Sequence, residues 1–117
     1  MRYTPLTRNN EFSRVYARGR SFVHAYAVVY VCKNRCKHTR VGLTASKKVG
    51  NAVARNRARR VLRAALCQVL PADVGGVDIV VVARGVTPRL KSTKLVPVLR
   101  KLLTDAGLPV LDAGKTT

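Results

Sequence analysis

Acidic residues are scarce in this sequence. Five Asp and Glu stand against 23 Lys and Arg, which leaves a net charge of +18 at pH 7 in 117 residues. Between Glu11 and Asp73 there is no carboxylate, while 14 Lys and Arg fall in the same interval. The sequence has no cluster of Asp and Glu to hold two metal ions and no paired His for acid–base catalysis. A basic excess of this size indicates a polyanionic partner, and its distribution favours nucleic acid.

Tryptophan is absent, and long apolar runs are absent too. The longest such run, Ala25 to Cys32, is too short to span a bilayer. No basic helix carries the Trp, Phe or Leu face with which interfacial helices bind membranes, so a membrane surface is a weaker candidate for the polyanion. Met1–Pro5 leads into no apolar stretch of the kind found in signal peptides. We therefore expect a cytoplasmic protein.

Cysteines are few and odd in number, which fits a reducing compartment better than a disulfide framework. Cys32, Cys36 and His38 have a spacing that could suggest a metal site, but an obvious fourth ligand is missing. We expect no metal in this chain and interpret Cys32, Cys36 and Cys67 as small hydrophobic residues or surface thiols.

Nearly half of the residues are hydrophobic, which is enough for one RNA-binding domain over residues 1–117 with a modest core. We expect loose ends over 1–8 and 108–117. The periodicities predict a helix from Asn9 or Asn10 to Arg18, strands over 21–24, 25–33 and 39–48, a helix over 51–70, a buried strand over 79–84, and a helix from 92 or 94 to 106. Pro97 should lie in the first turn of that last helix, or the helix begins later.

The basic residues are concentrated in one stretch, residues 46–63, which holds seven Lys or Arg and no carboxylate. On a helix, Arg55, Arg59 and Arg63 form a row, with Asn56 and Arg60 beside it. Like charges at this spacing repel, and a bound polyanion would remove the repulsion. Gly50 and the N-cap residue Asn51 would place Lys47 and Lys48 beside the helix N-terminus, which favours phosphate. The alternative is an ordinary solvated basic face.

Aromatic residues supply a second candidate surface. Phe12, Val15 and Tyr16 share one face of the first helix, which is either a core-facing stripe or a pair of rings that face an open groove. On the third strand Gly42, Thr44, Ser46 and Lys48 share a face and are small or polar, which indicates a partly open sheet face, and Tyr30 could lie on that same face. The first helix and the sheet could therefore frame a shallow, positively charged trough.

The stretch Lys47-Lys48-Val49-Gly50-Asn51-Ala52-Val53, followed by Arg55-Asn56-Arg57 and Arg59-Arg60, resembles the signature of the bacterial ribonuclease P protein component. The resemblance implies an α+β two-layer sandwich with the order α-β-β-β-α-β-α, similar to the second domain of ribosomal protein S5. It also implies a four-stranded mixed sheet with a left-handed β-α-β crossover. Periodicity alone would favour the common right-handed connection.

The resemblance further implies a subunit that binds a catalytic RNA and the 5′ leader of precursor tRNA, with one protein for each RNA. The endonucleolytic cleavage that frees the mature tRNA 5′ end then belongs to the RNA and its Mg²⁺, and this chain carries no catalytic residue. By this resemblance, the residues that contact the RNA subunit are Lys47, Arg55, Asn56, Arg57, Arg59, Arg60 and Arg63. The residues that contact the leader are Phe12, Tyr16, Tyr30 and Lys48.

Three other functions stay open at this point. A ribosomal or general RNA-binding protein would have the same size and charge. A stand-alone nuclease would cut precursor tRNA without any RNA subunit. A regulator of double-stranded DNA is the weakest alternative, because no helix-turn-helix pair with its short loop is visible.

Overall fold

The computed structural model describes residues 3–111 of the chain. They form one mixed sheet whose strand order is β1-β4-β5-β3-β2. In chain order the elements are β1 (Thr4–Pro5), α1 (Asn9–Arg18), β2 (Arg20–Val23), β3 (Ala27–Lys33), β4 (Arg40–Thr44), α2 (Ala52–Val69), β5 (Val77–Ala83) and α3 (Ser92–Asp105). The predicted α+β class and the order of helices and main strands are confirmed.

The sheet has five strands where the resemblance implied four. The additional strand is β1, which lies parallel to β4 at the edge of the sheet. β4 and β5 are parallel neighbours joined through α2, while β3 runs antiparallel to both β5 and β2. The expected β-α-β connection is therefore present, and its left hand stays a prediction. A two-residue strand carries no periodicity, which is why pattern alone did not predict β1.

Both ends of the described chain are tied to α2, which corrects our expectation of loose ends. Tyr3 is only 3% exposed, and its hydroxyl donates a hydrogen bond of 2.6 Å to the Leu70 carbonyl. Near the other end, the Leu111 N–H donates to the Val69 carbonyl at 2.7 Å. Of the two expected loose ends, 1–8 and 108–117, residues 1–2 and 112–117 lie outside the described residues.

The core lies mainly between the sheet and the pair α2 and α3. Leu62, Leu66 and Leu99 are fully buried there against inward-facing residues of β3 and β5. The buried side of α2 is an apolar arc at helical spacing, made of Ala58, Leu62, Ala65, Leu66 and Val69. A smaller cluster on the other face packs α1 against the sheet and consists of Leu6, Val15, Cys32 and Val80. Because alternate residues of β3 and β5 enter the two clusters, both strands read as continuous apolar runs.

Several predicted boundaries differ from the structure, and three of the differences have a clear local cause. Ala25 and Tyr26 precede β3 in a turn, in which the Tyr26 N–H donates to His24 Nδ1 at 3.0 Å. β4 ends at Thr44 and a single 3-10 turn, Lys47–Val49, follows it, so Lys48 is not on a strand. Pro97 is the sixth residue of α3, beyond its first turn. Burial of one helix face on the core compensates for the single hydrogen bond that Pro97 cannot donate.

Candidate nucleic-acid interface

The segment that leads into α2 is fixed by two capping residues. The Ser46 hydroxyl accepts a hydrogen bond from the Lys48 N–H at 3.3 Å, and the Asn51 side chain accepts one from the Ala54 N–H at 2.9 Å. Gly50 joins the two turns with φ of 145°, a conformation that L side chains rarely adopt. Lys47 and Lys48 are thereby held in exposed positions just before α2, as the sequence predicted.

The α2 helix buries one side and presents arginines on the other. Arg60 and Arg63 are exposed, whereas Arg55 and Arg59 are partly buried. The Asn56 side-chain oxygen Oδ1 accepts a hydrogen bond from Arg59 Nη2 at 2.7 Å, which orients that guanidinium group along the helix surface. We call the set Arg55, Asn56, Arg59, Arg60 and Arg63 the arginine row.

No arginine of α2 forms an ion pair with a carboxylate of residues 3–111. The carboxylates in that part of the chain are engaged elsewhere. Glu11 and Asp78 pair with Arg40, and Asp105 pairs with Lys101. The Thr39 hydroxyl and the Gly75 N–H donate to Asp73. The guanidinium groups of the arginine row therefore keep their charge available to an external anion.

Arg57 lies apart from the arginine row, on the other flank of α2. It lines a cavity of about 420 Å³ together with Asn51, Pro88 and Arg89. Arg89 belongs to a short turn, Thr87–Arg89, that packs against α2. Sequence reasoning did not identify Arg89 as a neighbour of this surface, because it is far from α2 along the chain and no local pattern marks it.

The aromatic surface lies on the sheet face that carries α1. The Tyr16 and Tyr30 rings meet edge to face with their centroids 4.9 Å apart, and Tyr16 is 43% exposed. Phe12 is more enclosed, because its ring covers Gly42, where a Cβ atom would come within 2.5 Å of the ring. The two alternatives for this helix face thus apply to different residues: Val15 and most of Phe12 pack inward, while Tyr16 faces outward.

The open part of this face continues beyond Tyr30. Lys48 lines a shallow cavity of about 240 Å³ with Ser46, Val28 and Val82. Val28 lies two residues from Tyr30 on the same face of β3, and it pairs with Val82 of β5. We call this surface, from Tyr16 and Tyr30 to Lys48, the trough. The structure brings the four predicted leader residues to one face of the sheet.

A buried ionic cluster fixes α1 beside the trough. Arg40 Nη1 lies 2.6 Å from a Glu11 carboxylate oxygen, and its Nε and Nη2 donate to Asp78 at 2.8 Å. Asp78 is 1% exposed and also accepts a 2.7 Å hydrogen bond from the Asn34 side chain. Glu11 further accepts hydrogen bonds from the Arg8 and Thr7 N–H groups, which caps α1. Arg8 is therefore the N-cap residue of α1, and its N–H is satisfied by this carboxylate.

These contacts shift the pKa values of the groups involved. The backbone N–H groups of Arg8 and Thr7, followed by the Arg40 charge, hold the pKa of Glu11 below its ordinary value. Burial by itself would raise the pKa of Asp78, but the hydrogen bonds from Arg40 and Asn34 outweigh it and the pKa is lowered. The hydrogen bond to Asp78 raises the pKa of Arg40. Every member of the cluster is thus stabilised in its charged form.

The cysteines do not form a common site. Cys32 is buried under α1, Cys36 is exposed in the turn after β3, and Cys67 is partly buried on α2. Across residues 3–111 no three His, Cys, Asp or Glu side chains are grouped so as to hold a metal ion. No helix in the same part of the chain is long and apolar enough to cross a membrane.

A family model described as ribonuclease P matches residues 1–107. This chain belongs to the ribonuclease P protein family. The ribonuclease P protein component of Clostridium botulinum (strain Loch Maree / Type A3) is 37% identical over 109 residues, which cover 92% of this chain and 98% of that protein. The corresponding protein of Clostridioides difficile (strain 630) is 41% identical over 80 residues, which cover 68% of this chain and 70% of that protein.

Solved structures of ribonuclease P proteins have the same fold. The Staphylococcus aureus protein aligns with a TM-score of 0.72 and 31% identity over 87% of this chain and 94% of its own. The Thermotoga maritima protein aligns with a TM-score of 0.65 and 27% identity over 87% of this chain and 93% of its own. The resemblance seen in the sequence is therefore confirmed, and it agrees with a role in tRNA processing.

Proposed function

We propose that this chain is the protein subunit of a ribonuclease P ribonucleoprotein in the cytoplasm, with one protein bound to each RNA subunit. The RNA subunit binds along the arginine row with Lys47 and Arg57, and the 5′ leader of precursor tRNA binds in the trough. The observation that carries the proposal is the arginine row itself, which has no carboxylate partner among the described residues.

The arginine row contributes affinity by neutralising phosphates. Each phosphate that meets a cation releases condensed counterions, so affinity rises with the number of contacts and falls with salt. Bound phosphates would also remove the mutual repulsion of Arg55, Arg59 and Arg63 along the helix. Partial burial holds the Arg55 and Arg59 stems against the protein, so that less side-chain freedom is lost when RNA binds.

The trough suits a single strand better than a duplex. Tyr16 offers an exposed ring beside Tyr30, and aromatic rings are platforms on which unpaired bases stack. Lys48, at the far end of the trough, supplies a cation for the phosphate backbone. A leader bound here would be positioned by the same protein that binds the catalytic RNA, which explains how the protein assists cleavage.

The reaction is hydrolysis of a phosphodiester bond that leaves a 5′ phosphate on the mature tRNA. We assign its catalysis to the RNA subunit and to Mg²⁺ held by that RNA, and no catalytic residue to this chain. The protein lowers the repulsion between two polyanions and positions the substrate. Cleavage should therefore proceed at a lower Mg²⁺ concentration when the protein is present.

Reconstitution at limiting Mg²⁺ tests the proposal. Precursor tRNA is incubated with the ribonuclease P RNA of the same genome, with the purified protein, or with both, and the 5′ end of the product is mapped. We expect cleavage at the mature end only in the complete mixture. Cleavage by the protein alone would identify a nuclease, and an RNA activity that the protein leaves unchanged would identify a general RNA-binding protein.

A second measurement separates leader binding from general RNA binding. Tyr16→Ala removes an exposed ring, and we expect it to weaken binding of leader-bearing precursor by roughly 1–3 kcal/mol if a base stacks there. Tyr16→Phe keeps the ring and is the matched control. Binding of mature tRNA, which has no leader, should be the same for both variants. An equal loss for mature tRNA would remove Tyr16 from the leader site.

A further inference from the structure

A cavity of about 550 Å³ lies where α1 ends, β2 begins and α3 ends, and the function proposed above does not use it. Its cations come from three elements: Arg14 and Arg18 of α1, Arg20 of β2, and Lys33 of β3. No carboxylate of residues 3–111 lines it. We call it the end pocket. We propose that the end pocket binds a single-stranded segment of the ribonuclease P RNA, a second contact that rests on the proposed function.

The cations of the end pocket are available to an anion. Arg18, Arg20 and Lys33 are exposed, and none of the three forms an ion pair with another residue of the 3–111 segment. Arg14 Nη2 donates a 3.1 Å hydrogen bond to the Lys33 carbonyl, which holds its guanidinium group at the pocket wall. The nearby carboxylate of Asp78 already accepts two hydrogen bonds from Arg40. The fold itself therefore leaves most of this charge unneutralised.

The pocket also contains an apolar surface and a stacking platform. Phe22, Val31 and Leu108 line it between the cations. The Arg20 guanidinium carbon lies 5.1 Å from the centre of the Phe22 ring, so the guanidinium group is held against that ring. Unpaired RNA bases stack on arginine planes and aromatic rings, while their phosphates bind cations. An acidic protein segment would satisfy the charge and leave the platform unused.

The position of the end pocket favours the RNA subunit over the leader. α2 packs against β4 and β5, whereas the pocket is built on β2 and β3 at the other edge of the sheet. Arg14 follows Phe12 by two residues and Arg18 follows Tyr16 by two. Both arginines therefore lie about 200° around α1 from the aromatic residues of the trough face. An RNA segment in the end pocket would thus hold the protein from a second side and leave the trough open to substrate.

The test is assembly of the full-length protein with the ribonuclease P RNA over a range of salt concentrations. Arg18→Gln with Arg20→Gln removes two exposed charges from the end pocket. Lys91→Gln with Lys94→Gln removes two exposed charges from the start of α3 and is the matched control. We expect the end-pocket variant to bind about tenfold more weakly, with a log–log salt slope reduced by about one to one and a half. The control variant should lose clearly less affinity for the RNA.

Holoenzyme saturated with the end-pocket variant should keep the wild-type KM for precursor tRNA. If the end-pocket variant changes only this KM, the pocket binds the substrate and not the RNA subunit. If the two double variants lose equal affinity for the RNA subunit, the effect is one of unspecific charge. Either result overturns the inference. Arg59→Gln with Arg63→Gln is measured in the same series. If that pair has no effect on assembly, the proposed function fails, whereas an inert end-pocket pair alone removes only the second contact.

Cross-linking of the unmodified protein avoids any effect of substitution on folding. Ribonuclease P RNA that contains 4-thiouridine is bound, irradiated and digested, and the cross-linked peptides are identified by mass spectrometry. We expect cross-links at Arg18, Arg20, Phe22 or Lys33 of the end pocket, localised to the residue by fragmentation, in addition to those from α2. Cross-links confined to α2 and the trough would overturn the inference.

Discussion

Arg40 and the arginine row of α2 have opposite surroundings. Arg40 is largely buried and contacts two carboxylates, Glu11 and Asp78, within 2.8 Å. The arginines of α2 have no carboxylate partner in the described part of the chain, and the one side-chain hydrogen bond found among them joins Arg59 to Asn56. The same side chain therefore has two uses here: one guanidinium group holds the fold together, and the others remain available for a partner.

The comparison shows how a chain with so few acids can fold at all. Glu11 and Asp78 are gathered at one place, where they neutralise a buried arginine and fix α1 to the sheet. Most of the remaining positive charge lies at the surface, where water and salt screen its self-repulsion. Stability and binding are thus assigned to different arginines, and four substitutions or conditions can test that division.

The largest effect is expected from Arg40→Met. This change leaves the carboxylate of Asp78 buried without its cation, and removal of one partner of a buried pair costs roughly 3–5 kcal/mol. The exposed pair between Lys101 and Asp105 is the control, because Lys101→Met should cost at most about 0.5 kcal/mol. Urea unfolding of both variants measures the difference. Similar losses in the two would show that burial of the Arg40 cluster has no energetic consequence.

Low pH should lower the free energy of unfolding, because it protonates carboxylates that stabilise the fold in their charged form. Glu11, Asp73 and Asp78 have pKa values below their ordinary values of 4.5, 3.8 and 3.8. A carboxyl group of this kind stabilises the fold above its unfolded pKa, and that contribution is lost as the pH falls through its folded pKa. We expect the free energy of unfolding to be nearly constant from pH 7 to about 5 and to fall below about pH 4.5.

The acid titration has an internal control in Arg40→Met. Without the Arg40 hydrogen bonds and charge, less opposes the effect of burial on the pKa of Asp78, so that pKa is lowered less and its acid-dependent contribution to stability shrinks. The variant should therefore lose less stability than the wild type between pH 5 and pH 3. A parallel decline in the two proteins would show that the acid-sensitive groups lie outside the Arg40 cluster.

A smaller loss of stability is expected from Gly42→Ala. This change tests how closely α1 packs on the sheet, whereas Arg40→Met tests its ionic contact. The new Cβ would lie 2.5 Å from the Phe12 ring, so the ring and the start of α1 must shift. Overpacking of this kind costs roughly 1–3 kcal/mol. Gly85→Ala is the control, because nothing lies within 4 Å of its Cβ position. Urea unfolding that ranks the two variants equally would contradict the close contact.

The smallest effect on stability is expected from Arg59→Gln with Arg63→Gln. Surface substitutions without buried partners change stability by about 0.5 kcal/mol or less, and removal of like charges from the row should act in the stabilising direction. The measurement is again urea unfolding, now without RNA. A loss above about 2 kcal/mol would mean that the row holds the fold together and that the division between the two sets of arginines is wrong.

The parts of this structure that sequence predicts are those with local causes. Asn51 and the proline after Leu70 bound α2 because capping and the steric restriction before proline act within a few residues. The arginine row and its apolar opposite face follow from helical periodicity alone. The family resemblance added the two-layer arrangement with its mixed sheet, and it assigned the aromatic residues to the leader. The structure places those aromatic residues on one face of the sheet.

The parts that sequence did not predict depend on contacts between distant segments. Glu11, Arg40 and Asp78 are ordinary charged residues until the sheet register places them together. Arg89 joins the surface near Arg57 only through packing of its turn on α2, and the end pocket needs five separate elements or segments to form. No local pattern carries that information, so each of these sites follows from tertiary structure.

The hydrogen bond between the Tyr3 hydroxyl and the Leu70 carbonyl has a practical consequence for anyone who handles this protein. An affinity tag or protease site placed directly against Tyr3 would disturb the carboxyl end of α2, whose other part carries the proposed RNA contacts. A fusion at the start of the chain should therefore carry a flexible spacer, and proteolytic clipping after Tyr3 should be monitored as an early sign of a damaged preparation.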